Sequence, residues 1–460
     1  MERGLLCLGA TGGLFDSLGR SEWIMFTPYC ADAGMPRAVT ASFRGKRRLR
    51  VTDVTGQAVG ALTIKGRRIP VPVDALEAGV TAGPTDSLRI PDDTPGGIYF
   101  VDDQWAFVVS RPEASCTAVV PVSTMQAFND WGGRSEYTER ARQREAKHKI
   151  PLHHYSLRRP LARRFAVDVL SGFLDWLPRG ALAGEEVRFV PDYDLERAGA
   201  LVGTKLLLIP GRSEYWSRKS RPAIDAYADN GGDMVLLSSE TMLHEIRHEE
   251  GRNAWWWYGS PEDPRKPATP YWNDPARRYP LLPSIGPNPA YGGSHKPEAK
   301  QYPAWGVYRA FDTNSPLAKA CGLGPGDSVA LPSMVYYDGL PVRRYANEVP
   351  VLDERVLTFH RWSLLGYSFG HNTPLRRIGA WFAFQRRPTS GRAVHFGSYG
   401  WSTMEGLGGK GPGGARPAEV VDATIRLIRS GADLFAPQPA AVPSPSWLRR
   451  LRSAGKRRLR

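Results

Sequence analysis

The strongest constraint on the fold is a pattern in the middle of the chain, where short apolar runs alternate with helix-like segments. The stretch "LLLIPGRSEYWSRKSRPAIDAYADNGGDMVLLSS", residues 206–239, reads as strand, loop, helix and strand. Short apolar runs that alternate with helices are typical of βαβ units, in which the strands are parallel and buried on both faces. We therefore predict an α/β fold with a mainly parallel sheet over residues 116–310.

The regions on either side of this domain have β-type patterns. The stretches 48–64 and 94–110 each contain two alternating runs around a turn, as hairpins do. We predict a β-sandwich over residues 1–115. A C-terminal β-rich region with a last helix is predicted over 311–435. A Pro-rich linker and a basic tail follow at 436–460.

Charge and cysteine content bear on partners and compartment. The net charge is +15, and seven Arg or Lys residues lie in the last fifteen positions. Such a tail either contacts anionic surfaces or is a solvated extension. The four cysteines form no C-x-x-C pair, which suits a reducing compartment. No apolar run approaches about 20 residues, so we predict a cytoplasmic protein without a transmembrane segment.

The stretch "HEIRHEE", residues 244–250, contains the H-E-x-x-H pattern. On a helix, this spacing places two histidines around a zinc ion with a glutamate as general base. Here those residues would be His244, Glu245 and His248. The Pro-rich segment that follows offers no clear helix for a third ligand. Zinc hydrolysis is therefore an alternative, and incidental surface histidines are the simpler interpretation.

Polar residues follow the predicted parallel strands, where ligands bind in such sheets. Glu214 and Glu240 follow two neighbouring strands, and His244 comes shortly after. A carboxylate beside a histidine can activate water as a general base, so we predict Glu214, His244 and Glu240 as catalytic. The other interpretation of Glu214 is that it caps the following helix.

Four further residues are predicted to bind substrate: Asn129, Trp131, Arg247 and Trp256. Asn129 and Trp131 belong to "AFNDWGGRSEY", which could equally shape a turn. Trp256 lies in the row "WWWY", whose rings either pack in the core or line an aromatic pocket. Aromatic rows also bind sugar rings, so binding of a carbohydrate without catalysis stays open.

Five ordered motifs resemble the large (β) subunit family of N,N-dimethylformamidase. Members of that family carry T-Y-Q-A-Y-N-x-W-G-G-x-S-L-Y, S-x-x-R-P, G-H-D-E-Y-W-S, P-E followed by G-V-x-Y, and G-T-x-x-W-S. The matching segments here are 124–137, 156–160, 211–217, 297–298 with 306–308, and 397–402. Their order along most of the chain makes the resemblance specific.

The resemblance implies a glutamine amidotransferase-like central domain and hydrolysis of a small amide at a mononuclear iron. Such an iron is held by two tyrosines and one glutamate. By motif, Tyr215 would be one tyrosine ligand and Glu298 the carboxylate ligand. The position of the second tyrosine is occupied by Ser171. The family also implies a small partner subunit, with a homo-oligomer as the other possibility.

Three functions follow in order of preference. The first is an N,N-dimethylformamidase-like hydrolase that cleaves the C–N bond of a small amide at a metal-assisted site. The second is a catalytically inactive relative that binds a carbohydrate or another polar ligand. The third is a zinc hydrolase that uses His244, Glu245 and His248.

Overall fold

The computed structural model of the 460-residue chain describes most of its central and C-terminal parts and the strands of its N-terminal part. The described residues are 5–8, 16–18, 21–25, 40–42, 46–53, 57–65, 68–70, 86–89, 97–101, 105–109, 113–129, 154–156, 163–249, 253–255, 263, 266, 271–274, 279–294, 306–331, 336–372 and 375–435. The predicted linker and basic tail at 436–460 lie outside these residues.

The first part of the described chain consists of short antiparallel strands. They are β1 (Leu5–Leu8), β2 (Asp16–Leu18), β3 (Ser21–Met25), β4 (Thr40–Ser42), β5 (Lys46–Asp53), β6 (Ala58–Lys65), β7 (Arg68–Pro70), β8 (Asp86–Arg89), β9 (Gly97–Val101) and β10 (Trp105–Val109). Six of them form an antiparallel sheet in the order β2-β3-β10-β9-β5-β6. The two predicted hairpins are confirmed, because β5 pairs with β6 and β9 pairs with β10.

The remaining strands and the helices form the rest of the described chain. The strands are β11 (Cys116–Val120), β12 (His154–Ser156), β13 (Val187–Pro191), β14 (Leu206–Arg212), β15 (Tyr215–Ser217), β16 (Asp233–Ser239), β17 (His244–Glu249), β18 (Asn253–Trp255), β19 (Asn288–Ser294), β20 (Val307–Ala310), β21 (Ser328–Ala330), β22 (Tyr336–Gly339), β23 (Val342–Ala346), β24 (Val349–Leu352), β25 (Arg361–Asn372), β26 (Leu375–Gln385) and β27 (Arg392–His395). The α-helices are α1 (Val122–Phe128), α2 (Arg163–Trp176), α3 (Ser220–Asp229), α4 (Leu282–Ile285), α5 (Pro316–Ala320) and α6 (Arg416–Arg429). No helix in these described ranges is long and apolar enough to cross a membrane.

A nine-stranded sheet dominates the structure, in the order β13-β11-β14-β16-β27-β26-β25-β20-β21. One half of it is parallel: β11 pairs with β13 and β14, β14 with β16, and β16 with β27, all in the same direction. Helix α3 connects β14 to β16, so the unit that the central apolar runs predict is confirmed. All seven residues of β14 are buried, as expected for a strand covered on both faces.

The predicted fold class is nevertheless wrong, because the sheet is mixed. Strands β26, β25, β20 and β21 extend it with antiparallel pairings. Only residues 373–374 separate β25 from β26, and a connection of two residues permits a hairpin but not a parallel crossover. The mainly parallel, glutamine amidotransferase-like sheet is therefore replaced by a β-rich architecture. Strands from 116–310 and from 311–435 share one sheet.

Apolar side chains cover both faces of this sheet. Alternate residues of β14 point to opposite faces: Leu206 and Leu208 belong to one buried cluster, and Leu207 and Ile209 to another. Helices α2 and α6 pack on the first face through residues such as Phe173, Trp176, Val421 and Ile425, whereas α3 packs on the second face through Ile224 and Ala228. This packing fixes the strand ends on which the polar residues lie.

The "HEIRHEE" segment is a strand and not a helix. Residues His244–Glu249 form β17, which pairs in parallel with β15 and antiparallel with β18. Four residues along a strand span about 13 Å, so His244 and His248 cannot share one ion as they would on a helix. The helical H-E-x-x-H interpretation, and with it the zinc site of His244, Glu245 and His248, is wrong.

Candidate active site

Charged side chains converge at the carboxyl edge of the parallel half of the sheet. Arg212 is the last residue of β14, and Glu240 follows β16 directly. The two strands are parallel neighbours, with Arg212 opposite Ser239, so the residues after them meet at one edge. Glu214 lies between β14 and β15 and reaches the same place. The structure thus brings Glu214 and Glu240 together around Arg212.

Arg212 is the centre of this cluster. Its Nε donates a hydrogen bond to Oε2 of Glu240 at 2.6 Å, and its Nη2 lies 3.1 Å from Oε2 of Glu214. The guanidinium group stacks between the rings of Phe128 and Tyr336, at 4.1 Å and 3.9 Å from their centroids. A planar cation held by two aromatic rings and two carboxyl groups has one orientation, which a lysine could not reproduce.

Glu214 also contacts the first histidine of "HEIRHEE". Oε1 of Glu214 lies 2.9 Å from Nε2 of His244. Because β15 and β17 are parallel with Tyr215 opposite His244, the pairing of the strands brings the two side chains together. The His244 ring lies between the rings of Tyr215 and Tyr271, with centroids 4.8 Å away in each case. The carboxylate and the histidine therefore form a buried pair.

A hydroxyl group holds the backbone of Glu214 and Tyr215. Oγ1 of Thr124, in α1, accepts hydrogen bonds from the N–H groups of Glu214 at 2.9 Å and Tyr215 at 3.1 Å. The turn between β14 and β15 is thus fixed by a residue of another element. This contact directs the Glu214 carboxylate towards Arg212 and His244.

The backbone of Glu240 is held by a buried carboxyl group from a distant part of the chain. Glu240 has φ +51°, a left-handed conformation that costs a glutamate roughly 1–3 kcal/mol. The N–H groups of Glu240 and Thr241 donate to the two carboxyl oxygens of Asp338, at 2.8 Å and 3.1 Å. Asp338 itself contacts Nε2 of His395 at 3.4 Å. Both Asp338 and His395 are fully buried.

Burial dominates the electrostatics of the site. Burial raises the pKa of Glu240, and the negative charge of Glu214 raises it further. The charge and hydrogen bond of Arg212 lower this pKa but do not offset the rise. Burial also raises the pKa of Asp338 to about 8 and lowers the pKa of His395 to about 4. The raised pKa values favour the protonated forms of Glu240 and Asp338, and the lowered pKa of His395 favours its uncharged form. Where the surroundings of two carboxyl groups push their pKa values apart, one can act as acid and the other as base.

The predicted substrate-binding residues are not all near this cluster. Arg247 alternates with His244 along β17, so it lies on the opposite face, where it binds Asp263 through two contacts of 2.8 Å and 2.7 Å. The side-chain amide of Asn129 donates to Oε1 of Gln126 at 2.8 Å. Trp131 and Trp256 lie outside the described residues. The structure therefore gives no common site to these four predictions.

The described residues do not complete the implied iron site. Tyr215 is buried next to His244, but Ser171, in α2, carries no phenol to replace the second tyrosine. Tyr155, whose ring is 6.1 Å from that of Tyr215, donates its hydroxyl proton to the backbone oxygen of Ser123. Glu298 lies outside the described residues, and so does its predicted convergence with Tyr215. Within the described ranges, no group of three or more His, Cys, Asp or Glu could hold a metal ion.

Sequence reasoning missed three residues that organise the cluster. Arg212 was visible as a departure from the histidine of the family motif, which is a signal for a changed site. Thr124 begins one of the motifs, but nothing in the sequence connects it to Glu214. Asp338 lies 98 positions from Glu240, and no local pattern could indicate that contact.

Comparison with known proteins identifies the family of this chain. The chain has some likeness to a solved structure of the β-galactosidase from Rahnella sp. R3, with 13% identity, a TM-score of 0.32, and coverage of 70% of this chain and 32% of that one. It thus spans about a third of that enzyme, and so weak a likeness says nothing about its activity. No curated protein matches the chain. The family model for "N,N-dimethylformamidase beta subunit-like, C-terminal" matches residues 83–402, most of the chain. This protein therefore belongs to the N,N-dimethylformamidase beta subunit-like family.

Proposed function

We propose that this protein hydrolyses the C–N bond of a small amide at the cluster of Arg212, Glu214, Glu240 and His244. The observation that carries the proposal is the buried guanidinium group of Arg212, held between two carboxyl groups, one of which is paired with a histidine. Membership in the dimethylformamidase-like family suggests the same class of reaction.

The residues supply each part that amide hydrolysis requires. The Glu214–His244 pair accepts a proton from water, whose oxygen forms a bond to the carbonyl carbon of the amide. The guanidinium group of Arg212 stabilises the negative charge that develops on the carbonyl oxygen. Protonated Glu240 donates its proton to the nitrogen as the C–N bond breaks, and the products are a carboxylic acid and an amine. The proton held by the Glu214–His244 pair then passes to Glu240, which restores both groups.

The burial of the cluster favours a small substrate. The side chains of Glu214 and His244 are 3% and 1% exposed, whereas those of Arg212 and Glu240 are 10% and 11% exposed. A ligand therefore meets the acid and the guanidinium group first. We infer that the substrate is a small amide and not a polypeptide, because the carboxylate–histidine pair lies beneath these two residues.

Iron binding at this site and association with a partner subunit are predictions. Tyr215 and Glu298 are the predicted iron ligands, and no step above passes through a metal, because the described residues do not complete the set. A beta-subunit-like family suggests a partner subunit, and a homo-oligomer is the other predicted assembly. Binding of a carbohydrate through Trp256 without catalysis stays the alternative function.

The test is amine release by the purified chain. We expect wild-type protein to release amine and acid from N,N-dimethylformamide or another small amide. Glu214→Gln removes the proton acceptor and should lower kcat by about 10²-fold or more. Glu405→Gln changes an exposed glutamate and should leave kcat unchanged. Equal rates in Glu214→Gln and wild type would contradict the proposal, and a folded protein that binds a saccharide but releases no amine would favour the alternative.

A further inference from the structure

A second group of polar residues lies at the same edge of the sheet, beside strands β11 and β13. Ser123 is in α1, which follows β11, and Asp192 and Glu196 are in the 3₁₀ turn that follows β13. His248, the second histidine of "HEIRHEE", approaches from β17. Oγ of Ser123 lies 3.4 Å from Nε2 of His248, and Nδ1 of His248 lies 2.7 Å from Oε1 of Glu196.

These three side chains are arranged as in a hydrolytic triad. A serine hydroxyl faces one nitrogen of an imidazole ring, and a carboxylate holds the other nitrogen. The serine–histidine distance is at the long end of what such sites show without substrate, and the histidine–carboxylate distance is short. The residues come from three separate elements, so no local turn or cap accounts for their meeting.

The group is separate from the Arg212 cluster. The strand order β13-β11-β14-β16 places it over the first two strands, whereas the Arg212 cluster lies over the last two. His244 and His248 are on one face of β17, about 13 Å apart. Each histidine therefore serves its own carboxylate: Glu214 in one case and Glu196 in the other.

We propose that Ser123, His248 and Glu196 form a serine-nucleophile centre that hydrolyses small carboxylic esters, independently of the amide hydrolysis proposed above. The side chains of His248 and Glu196 are 11% and 20% exposed, so an ester reaches the group from their side. Ser123 lies beneath them and is buried, as a nucleophile protected from bulk water would be.

The charges around Ser123 are consistent with this role. Asp192 is buried, and burial raises its pKa to about 8 although hydrogen bonds from Ser123 act to lower it. Oδ2 of Asp192 accepts the N–H of Ser123 at 3.0 Å, and Oδ1 lies 3.0 Å from Oγ. The Ser123 hydroxyl donates to Oδ1 of Asp192, and rotation about the Cβ–Oγ bond turns its proton towards Nε2 of His248, 3.4 Å away.

The triad requires an ionised carboxylate, and the surroundings of Glu196 favour that form. Burial acts to raise the pKa of Glu196, but hydrogen bonds from His248 and Ser217 and nearby positive charge outweigh it. The pKa of Glu196 is therefore below its ordinary value, and the group is ionised at neutral pH. An ionised Glu196 keeps a proton on Nδ1 of His248, so that Nε2 can accept a proton from Ser123.

The reaction balances with water as the only co-reactant. Oγ of Ser123 forms a bond to the acyl carbon, His248 takes the hydroxyl proton, and the ester C–O bond breaks as that proton passes to the departing alcohol. Water then forms a bond to the acyl carbon, its proton returns through His248, and the Oγ–carbon bond breaks. The products are an alcohol and a carboxylic acid.

Covalent labelling of the full-length protein tests the proposal. A fluorophosphonate forms an Oγ–phosphorus bond with an activated serine and loses fluoride, and mass spectrometry of the digested protein locates the label. We expect one label per chain at Ser123, and a burst of p-nitrophenol from p-nitrophenyl acetate. His248→Gln should slow labelling by about 10²-fold or more, because the general base is lost. Glu196→Gln should slow it less.

The controls separate a reactive serine from a structural network. Ser430→Ala changes an exposed serine at the end of α6 and should label at the wild-type rate. Ser123→Ala should take no label, and if that variant fails to fold, the labelled residue of the wild-type protein still decides. A folded wild-type protein without label at Ser123, or His248→Gln labelled at the wild-type rate, would overturn the proposal. Amine release from amides plays no part in this readout, so the two proposals fail separately.

Discussion

At the scale of single residues, the candidate active site depends on Arg212. Its guanidinium group satisfies two buried carboxyl groups and two aromatic faces at once. Burying an arginine is costly unless its hydrogen bonds are satisfied, and here Glu214 and Glu240 satisfy them. The family motif has a histidine at this position, so the charge at this edge of the sheet differs in this chain.

We expect Arg212→Met to destabilise the fold and Arg212→Lys to damage mainly the activity. Removing the cation leaves two buried carboxyl groups without their partner, which costs about 3–5 kcal/mol in the free energy of unfolding. Lysine keeps the charge but cannot bridge both groups or stack between Phe128 and Tyr336. Urea unfolding and amine release measure the two effects. Wild-type stability in Arg212→Met would show that the cluster is not held by this residue.

The sequence predicted some site residues and could not predict others. The apolar runs that form strands are followed by Glu214, Tyr215 and Glu240. The position of these residues at one edge of the sheet could therefore be predicted from the sequence. The roles of these residues stay predictions. The contact between Asp338 and Glu240 could not be predicted from the sequence. It depends on the position of β22 beside β16, and contacts between distant strands leave no local pattern.

At the scale of elements, local patterns predicted the helices better than the sheet. Helix α3 matches the helix-like segment predicted within residues 206–239, and α6 matches the last helix predicted in 311–435. "HEIRHEE" was ambiguous, since short stretches can follow a helical motif and still be a strand when their neighbours pair with them. β17 lies between β15 and β18, and that pairing decided its conformation.

Gly172 shows how packing decides a helix residue. A Cβ atom at Gly172, inside α2, would lie 1.7 Å from the backbone oxygen of Thr403. We expect Gly172→Ala to lower the free energy of unfolding by about 3 kcal/mol, because this overpacking outweighs the gain of ~1 kcal/mol in helix propensity. Denaturant unfolding measures the change.

A second substitution in α2 provides the matched control. Asp175→Ala removes a partly exposed ion pair with Arg179 and should cost less than about 1 kcal/mol. If Gly172→Ala proves as stable as wild type while Asp175→Ala behaves as expected, the packing of α2 against residues 399–404 is not as described.

At the scale of the whole molecule, both halves of the mixed sheet contribute residues to the candidate active site. The parallel half presents Arg212, Glu214 and Glu240 at its carboxyl edge. The later part of the chain supplies Asp338 and His395, which hold the turn at Glu240. The mixed class could not be predicted from the strand patterns, because each pattern fits either strand direction.

The proposed division of acid and base roles between Glu240 and Glu214 has a direct consequence for pH dependence. Glu240 must carry a proton to donate it to the leaving amine. Burial and the charge of Glu214 raise its pKa, so the protonated form persists above the ordinary range of carboxyl groups. Activity should then fall as the pH rises through this raised pKa, because the acid loses its proton.

The most direct measurement is therefore the rate of amine release between pH 5 and about pH 10, for wild type and Glu240→Gln. We expect wild-type kcat to fall on the alkaline side. Glu240→Gln cannot donate a proton, so its kcat should be lower by about 10²-fold or more and should lack that alkaline fall. Glu405→Gln should follow the wild-type profile. The same alkaline fall in Glu240→Gln as in wild type, at a similar rate, would show that Glu240 is not the acid and would contradict the proposed active site.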